Sequence, residues 1–358
     1  MVKNDKRKKV FLTGAFGNIG LSTLDELLAR DFEVITFDIP RKKNRRIFRK
    51  YKKIWGNKIT AFWGDLRNYM HVEKAIEDVN AVIHLGAIIP PISEIYPDKA
   101  FEVNVGGTTN ILKAMELKCP QAQLIFTSSF TVYGNRREDP IISLNDSFNP
   151  MSDYANHKIE CEKLIKLSRL KWTIIRLTYI PSLNDLKLFR HMYDVPLETK
   201  IELCVSKDVA LALVNAINNS KALYKIFNAA GGEPCRTTYG EYLLNMFEIF
   251  GIGQNSIPAE AFSLNGTFGG WIKPNGEQNV LKYQHTNLDN FYDDLRHKYR
   301  IIRSIVKVVE PLAKYIIVKQ SPYIQNFKNY QTITEYLNSI NENQIMPNLC
   351  ETPISIEC

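Results

Sequence analysis

Tyr154 and Lys158 stand four residues apart in Tyr154-Ala155-Asn156-His157-Lys158. On a helix that spacing puts both side chains on one face. A phenol ionises near pH 10 and is a poor base unless a cation holds its phenolate. Lys158 supplies that cation from one turn away. The pair therefore suits proton exchange with a carbinol or carbonyl oxygen, coupled to hydride transfer on the adjoining carbon. Ser129 follows an apolar run, Gln123–Ser128, that reads as a sheet strand. Ligands gather at the ends of such strands, where a serine hydroxyl can hydrogen-bond the reacting oxygen. A lone Tyr-x-x-x-Lys is often an incidental surface pair, so its context has to carry the reading.

That context begins at Val10-Phe11-Leu12-Thr13, which runs into Gly14-Ala15-Phe16-Gly17-Asn18-Ile19-Gly20 and then a helical pattern. Glycines at a strand-to-helix turn allow positive φ, close approach of a pyrophosphate and tight helix–strand packing. The helix N-terminus adds free N–H groups for the phosphates. A second strand ends in Asp38, eighteen residues after Gly20, where a carboxylate would accept both ribose hydroxyls. Such a carboxylate repels a 2′-phosphate, so NAD is expected and NADP is less favoured, although Arg41, Lys42 and Lys43 follow closely.

These groups need a scaffold. Lys9–Thr13, Glu33–Asp38, Ile59–Gly64, Ala81–Leu85 and Gln123–Ser128 read as strands, and Ile19–Arg30, His71–Asp78 and Ala100–Leu117 as helices between them. Lys171–Leu177 and Lys225–Ala230 add two strands, and Ser152–Leu170, Ser206–Asn218 and Thr238–Phe250 add helices. The repetition predicts an α/β fold, a Rossmann-type doubly wound parallel sheet with helices on both faces. A small C-terminal substrate-binding lobe would complete it. The domains are then a core over 1–178, a mixed lobe over 179–298, amphipathic helices over 299–340 and a flexible tail over 341–358. His84, at a strand end, reads as a satisfied buried residue rather than a base.

The ordered set of motifs resembles the extended short-chain dehydrogenases/reductases, specifically the NAD-dependent epimerase/dehydratase group, over roughly residues 9 to 295. It comprises Thr13-Gly14-x-x-Gly17-x-x-Gly20, Gly64-Asp65-Leu66, His84-Leu85-Gly86-Ala87, Asn104-Val105-Gly106-Gly107-Thr108, Ser128-Ser129, Val132-Tyr133-Gly134 and Tyr154-x-x-x-Lys158. The resemblance implies that Ser129, not Ser128, joins Tyr154 and Lys158 as the catalytic set. It places Asp65 near the adenine, Ala87 and Asn104 along the cofactor cleft, and the Lys158 ammonium on the nicotinamide ribose. Phe16, Asn18, Ile19, Leu66, Leu85 and Gly86, within the same motifs, are expected beside the cofactor. The implied activity is epimerisation or oxidoreduction of a sugar-like or polyol alcohol, free or nucleotide-linked, by a homodimer. A simple dehydrogenase/reductase of a smaller alcohol is the alternative, and a non-catalytic dinucleotide sensor would not need the proton-transfer set.

Three departures bear on substrate. Phe130 and Thr131 stand where dehydratases carry Asp-Glu, which disfavours elimination of water. Tyr179 replaces an Asn that commonly helps hold a substrate diphosphate. Only about 25 residues separate Leu183 from Asp208, a span where nucleotide-sugar epimerases carry a longer insert. Residues 255–285 are then a candidate lid, with Trp271, Lys273 and Tyr283 as lining.

Composition limits the remaining options. The 358 residues are 45% hydrophobic and 23% charged, with a mean hydropathy of -0.21, which excludes wholesale disorder and a multi-span membrane protein. Lys3–Lys9 imitates a signal peptide, but Thr13, Gly14 and Gly17 interrupt the apolar run at once. Six scattered cysteines form no CxxC pair, so neither a metal nor a disulfide framework is expected, and a cytoplasmic protein is. Of the net charge of +8, ten basic residues lie between Arg41 and Lys58 with no acidic one; the rest of the chain balances at -2. That block and Tyr299–Val318 are basic amphipathic helix patterns. Packing on the domain is the expectation for both, peripheral membrane contact is the alternative, and nucleic acid is disfavoured.

Overall fold

The computed structural model describes residues 8–181, 190–253, 257–324 and 331–345. They form two compact units. One is drawn from Met1–Leu186, Ile201–Arg236 and Thr267–Leu288, the other from Lys187–Lys200, Thr237–Gly266 and Asp289–Cys358.

In the first unit seven strands form one sheet: β1 (Lys9–Thr13), β2 (Glu33–Asp38), β3 (Ile59–Trp63), β4 (Ala81–His84), β5 (Gln123–Ser129), β6 (Lys171–Leu177) and β7 (Lys225–Ala229). Their order is β3-β2-β1-β4-β5-β6-β7, parallel throughout. The strand ends lie within one residue of those expected. The runs are apolar rather than alternating because both faces are covered. Val10, Leu12, Ile83 and Ile125 pack with Leu24, Leu27 and Leu28 of α1 (Asn18–Ala29). The intervening Phe11, Val82, Leu124 and Phe126 pack on the other face with Ile111 and Met115. The order reverses between β1 and β4, the switch point where open α/β sheets bind ligands.

Helix α2 (Lys42–Trp55) carries most of the basic block. Its Ile47, Phe48, Tyr51 and Trp55 lie against the α1-side core, so its charges face solvent as expected. Helix α3 (Tyr69–Ala75) follows β3. The helix expected over Ala100–Leu117 is instead divided. A π turn at Glu102–Gly106 leads into α4 (Gly107–Lys118), a distortion often found at functional sites. Helices α5 (Asp153–Leu167) and α6 (Ser206–Ala216) complete the cover.

The second unit contains α7 (Tyr239–Ile249) and most of α8 (Leu288–Val308), followed by α9 (Glu310–Lys319) and α10 (Ile333–Ile345). The Tyr299–Val318 pattern breaks at Val309, where φ is -110°. Pro311 falls in the first turn of α9, where a missing N–H leaves no helical bond unmade. No helix among the described residues is long and apolar enough to cross a membrane.

A chain of side chains joins β1, β4 and α4. Thr13 Oγ1 accepts N–H bonds from Leu85 (3.1 Å) and Gly86 (3.0 Å), so its own proton goes to His84 Nδ1 at 2.7 Å. His84 must then carry its proton on Nε2, which lies 3.2 Å from Thr108 Oγ1. The Thr108 hydroxyl in turn donates to the Asn104 carbonyl at 2.6 Å. A second proton on the ring would have no acceptor. Burial, reinforced by the Lys158 charge, pulls the His84 pKa down to about 3. Since the unfolded chain binds this proton near pH 6.5 and the folded chain only near 3, stability falls as pH drops between those values. His84→Asn removes the titration. The stability gap between wild type and His84→Asn, measured by denaturant titration, should narrow by up to about 1.4 kcal/mol per pH unit below about 6.5. A gap independent of pH would contradict the neutral His84.

Candidate active site

At the switch point Gly14 has φ +63° and lies so close to β4 that a Cβ would meet Gly86 N at 3.0 Å. A Cβ on Gly20 would lie 2.1 Å from Gly14 O, so α1 can cross the turn closely only with glycine there. Gly17 is the N-cap of α1 and has no side-chain cap bond. The first-turn amides are thus directed to whatever sits above them, the arrangement that suits a diphosphate.

Asp38 ends β2 beside this loop. Its Oδ2 accepts the Phe16 N–H at 3.0 Å, and its Oδ1 accepts the Ile39 N–H at 2.8 Å and Asn44 Nδ2 at 3.1 Å. A carboxylate accepts about four bonds, so room remains for a sugar hydroxyl. Burial raises the Asp38 carboxyl above its usual range, opposed by those two backbone N–H groups and Arg41. A 2-position hydroxyl fits this site, whereas a phosphate would add charge to an already crowded carboxylate.

Phe16 and Leu66 have buried side chains, Phe16 stacked on Trp63 at 5.5 Å and Leu66 close against Gly86 and Gly107. Asn18 Nδ2 donates to Pro181 O at 3.1 Å, and Ile19 packs on the core beside it. Asp65 is held by Arg67, which also pairs with Glu102. The Arg67 hydrogen bonds keep its carboxyl below the usual range despite partial burial. Leu85, Gly86 and Ala87 form the partly buried mouth of the loop after β4. Asn104 is buried, and its amide both donates to Ile88 O (2.9 Å) and accepts from Ile88 N–H (2.7 Å). It shapes that loop from beneath.

The proton-transfer candidates come from β5 and α5. Lys158 is buried, with Nζ donating to Thr127 O at 2.7 Å, 4.6 Å from the Phe126 ring and 5.6 Å from the Tyr154 ring centroid. Burial lowers its pKa to about 8, opposed by the Glu162 carboxylate. Tyr154 is half-buried, and loss of solvent raises its hydroxyl above the ordinary value, which leaves the nearby ammonium as the group able to lower it.

Alternation along β5 separates its two serines. Ser128 donates to Glu162 Oε1 at 2.6 Å, inside a buried set in which Arg176 holds both Glu162 oxygens (2.8 and 2.7 Å). Burial would raise the Glu162 carboxyl, but the Arg176 guanidinium holds it below the usual range. Ser129 Oγ instead accepts from the Thr131 N–H (3.3 Å) and hydroxyl (2.9 Å), which leaves its own proton to donate elsewhere.

Two expectations are corrected. The candidate lid is not one segment of a single unit: its described residues 257–266 belong to the second unit and 267–285 to the first. Tyr283 is a core residue whose hydroxyl donates to Ala230 O at 2.9 Å, and Trp271 Nε1 donates to Ile201 O at 3.2 Å. Lys273 stays exposed. Leu183, at the start of the shortened span, lies outside the described residues.

The NAD dependent epimerase/dehydratase family model matches residues 10–183. A UDP-glucose 4-epimerase of Klebsiella pneumoniae is 33% identical over 139 residues, covering 37% of this chain and 98% of that one. The chain belongs to the NAD-dependent epimerase/dehydratase family. It is also similar to the D-erythronate dehydrogenase of Haemophilus influenzae, 29% identical over 165 residues, which are 44% of this chain but only 49% of that enzyme. A short-chain dehydrogenase/reductase superfamily protein from Agrobacterium tumefaciens, solved with bound NAD, shares the fold. Its TM-score is 0.65 at 18% identity, over 84% of this chain and 98% of that one.

One contributor to this family site escaped sequence reading. Glu94, on the single helical turn Ile92–Ile95 that follows β4, accepts the N–H groups of Asp153 (2.9 Å) and Tyr154 (3.2 Å), while Ser152 accepts that of Ala155 (3.2 Å). Three first-turn donors of α5 are thereby satisfied. Ser152 caps the helix from the residue just before it, whereas Glu94 lies about 60 residues upstream and gives no local signal. Glu94→Ala should cost about 0.5–2 kcal/mol, the usual worth of an N-terminal cap. Chemical denaturation checks it, and an unchanged midpoint would show that Glu94 does not hold the helix.

Proposed function

We propose that this chain is an NAD-dependent epimerase or oxidoreductase acting at a carbinol or keto carbon of a sugar-like substrate. The observation that carries the reading is the buried Lys158 ammonium, fixed on Thr127 O and 5.6 Å from the Tyr154 ring, at the carboxyl end of the strand bearing Ser129. In this reading the loop of Gly14, Gly17 and Gly20 receives the diphosphate at the N-terminus of α1, and Asp38 receives the adenosine ribose. NAD, when bound, supplies the hydride acceptor or donor.

The chain's own residues handle the proton. Tyr154 takes it from the substrate hydroxyl, or returns it, and the Lys158 charge lowers the cost of the phenolate. Ser129, its oxygen already accepting from Thr131, donates to the reacting oxygen and stabilises the charge that develops there. Phe130 and Thr131 offer no carboxyl, so elimination of water is not part of this chemistry.

The similarity to UDP-glucose 4-epimerases favours a nucleotide-linked sugar. A second reading, net dehydrogenation of a smaller polyol acid, draws on the D-erythronate dehydrogenase relative and on Tyr179 in place of the diphosphate-binding Asn. Rapid accumulation of NADH with substrate would favour this second reading.

Two outcomes test the proposal. NAD should bind at least about tenfold tighter than NADP, equivalent to about 1.4 kcal/mol; equal affinities in calorimetric titration would overturn the role of Asp38. Tyr154→Phe should leave NAD affinity intact and lower turnover by about 10² to 10⁴, the worth of a positioned general acid–base. Near-normal turnover of a verified substrate by this variant would refute the mechanism.

A further inference from the structure

Helices α8 and α9 present an unusual outward face. Phe291, Tyr292, Leu295 and Tyr299 of α8 and Ile317 and Val318 of α9 are buried. Arg296 and Arg303 on α8 pair with Glu248 of α7. These contacts define the inward side. A surface helix held this way ordinarily turns charged residues to water. Here the outward side carries Ile301 (67% exposed), Ile305 (61%), Val308 (83%) and Leu312 (59%), continued by Tyr315 and Ile316. Spacing of three and four residues puts Ile301, Ile305 and Val308 on one side of α8, and Leu312, Tyr315 and Ile316 on one side of α9. Exposed apolar surface of this kind marks an interaction site.

Charge identifies the occupant. From Lys298 to Lys319, apart from Arg303, which Glu248 already neutralises, there are five basic residues, Lys298, Arg300, Lys307, Lys314 and Lys319, and one acidic residue, Glu310. Glu310 accepts the Gly253 N–H at 2.9 Å, so its charge is engaged within the unit. Long basic side chains can extend beside an apolar stripe and leave their heads in a polar layer. A second copy of this face would bring the same positive charges together. Nucleic acid would find branched aliphatic groups where it needs stacking platforms or phosphate contacts. An anionic bilayer satisfies both features, with apolar side chains entering the acyl boundary and lysines and arginines among the headgroups. We propose that α8 and α9 seat the protein on the surface of an anionic lipid bilayer. The proposal goes beyond the catalytic reading and does not depend on it.

Sedimentation of the full chain with vesicles tests it. Vesicles of phosphatidylcholine with about one-third phosphatidylglycerol should bind at least about tenfold more protein than phosphatidylcholine alone. Raising salt to about 0.5 M should remove most of that preference. The triple substitution Ile305→Glu, Val308→Glu, Leu312→Glu lies on exposed positions and should keep the wild-type melting curve while losing vesicle binding. Lys307→Glu with Lys314→Glu should weaken binding to anionic vesicles only. Wild-type protein that ignores anionic vesicles, or a triple variant that binds them as well as wild type, would overturn the proposal. So would a wild-type dimer in light scattering that the triple substitution dissolves without any vesicle binding, because a second copy would then cover the stripes.

Discussion

The hydroxyl of Thr13 joins the two strands between which the site opens. It accepts two backbone N–H groups from the β4 end and donates to His84, which passes the polarity on to Thr108 and the Asn104 carbonyl. Each group has one arrangement of its proton, so the chain has one state. Asn104 then holds Ile88 by both backbone groups, and the loop so held carries Glu94 to the start of α5. The tip of the glycine turn and the helix of Tyr154 and Lys158 therefore share one hydrogen-bonded frame. A buried, neutral histidine serves this frame because a charged one would break its directionality.

The same economy divides the end of β5. Ser128 belongs to a buried ionic set with Glu162 and Arg176, whose full pairing offsets the cost of desolvation. Its neighbour Ser129, on the other side of the strand, accepts from Thr131 and keeps its own proton to donate. Adjacent identical residues thus have different chemistry because a strand turns them to opposite faces.

The two basic amphipathic segments make a related point. Both have apolar residues at helical spacing among lysines and arginines. In α2 that apolar face has β-sheet and α1 neighbours to cover it; in α8 and α9 the inward side is filled by other apolar residues and a stripe on each helix is left outward. Periodicity reports that a helix has an apolar face, not which neighbour meets it.

Much of this was legible in the residues themselves. Seven parallel strands announced themselves because two-sided burial demands continuous Val, Ile and Phe, and the glycine turn because only glycine tolerates its φ and its close approaches. Asp38, Tyr154 and Lys158 could be singled out since their spacing is local to one element or one turn. Tertiary structure alone decided what depended on separation in sequence. It joined Glu94 to a helix start about 60 residues away, set Thr108 against His84, put Tyr283 in the core rather than in a lid, and turned one basic helix inward and another's aliphatic stripe outward. Hydrogen bonds and burial are relations between elements, and a sequence written along one dimension records the elements but not their partners.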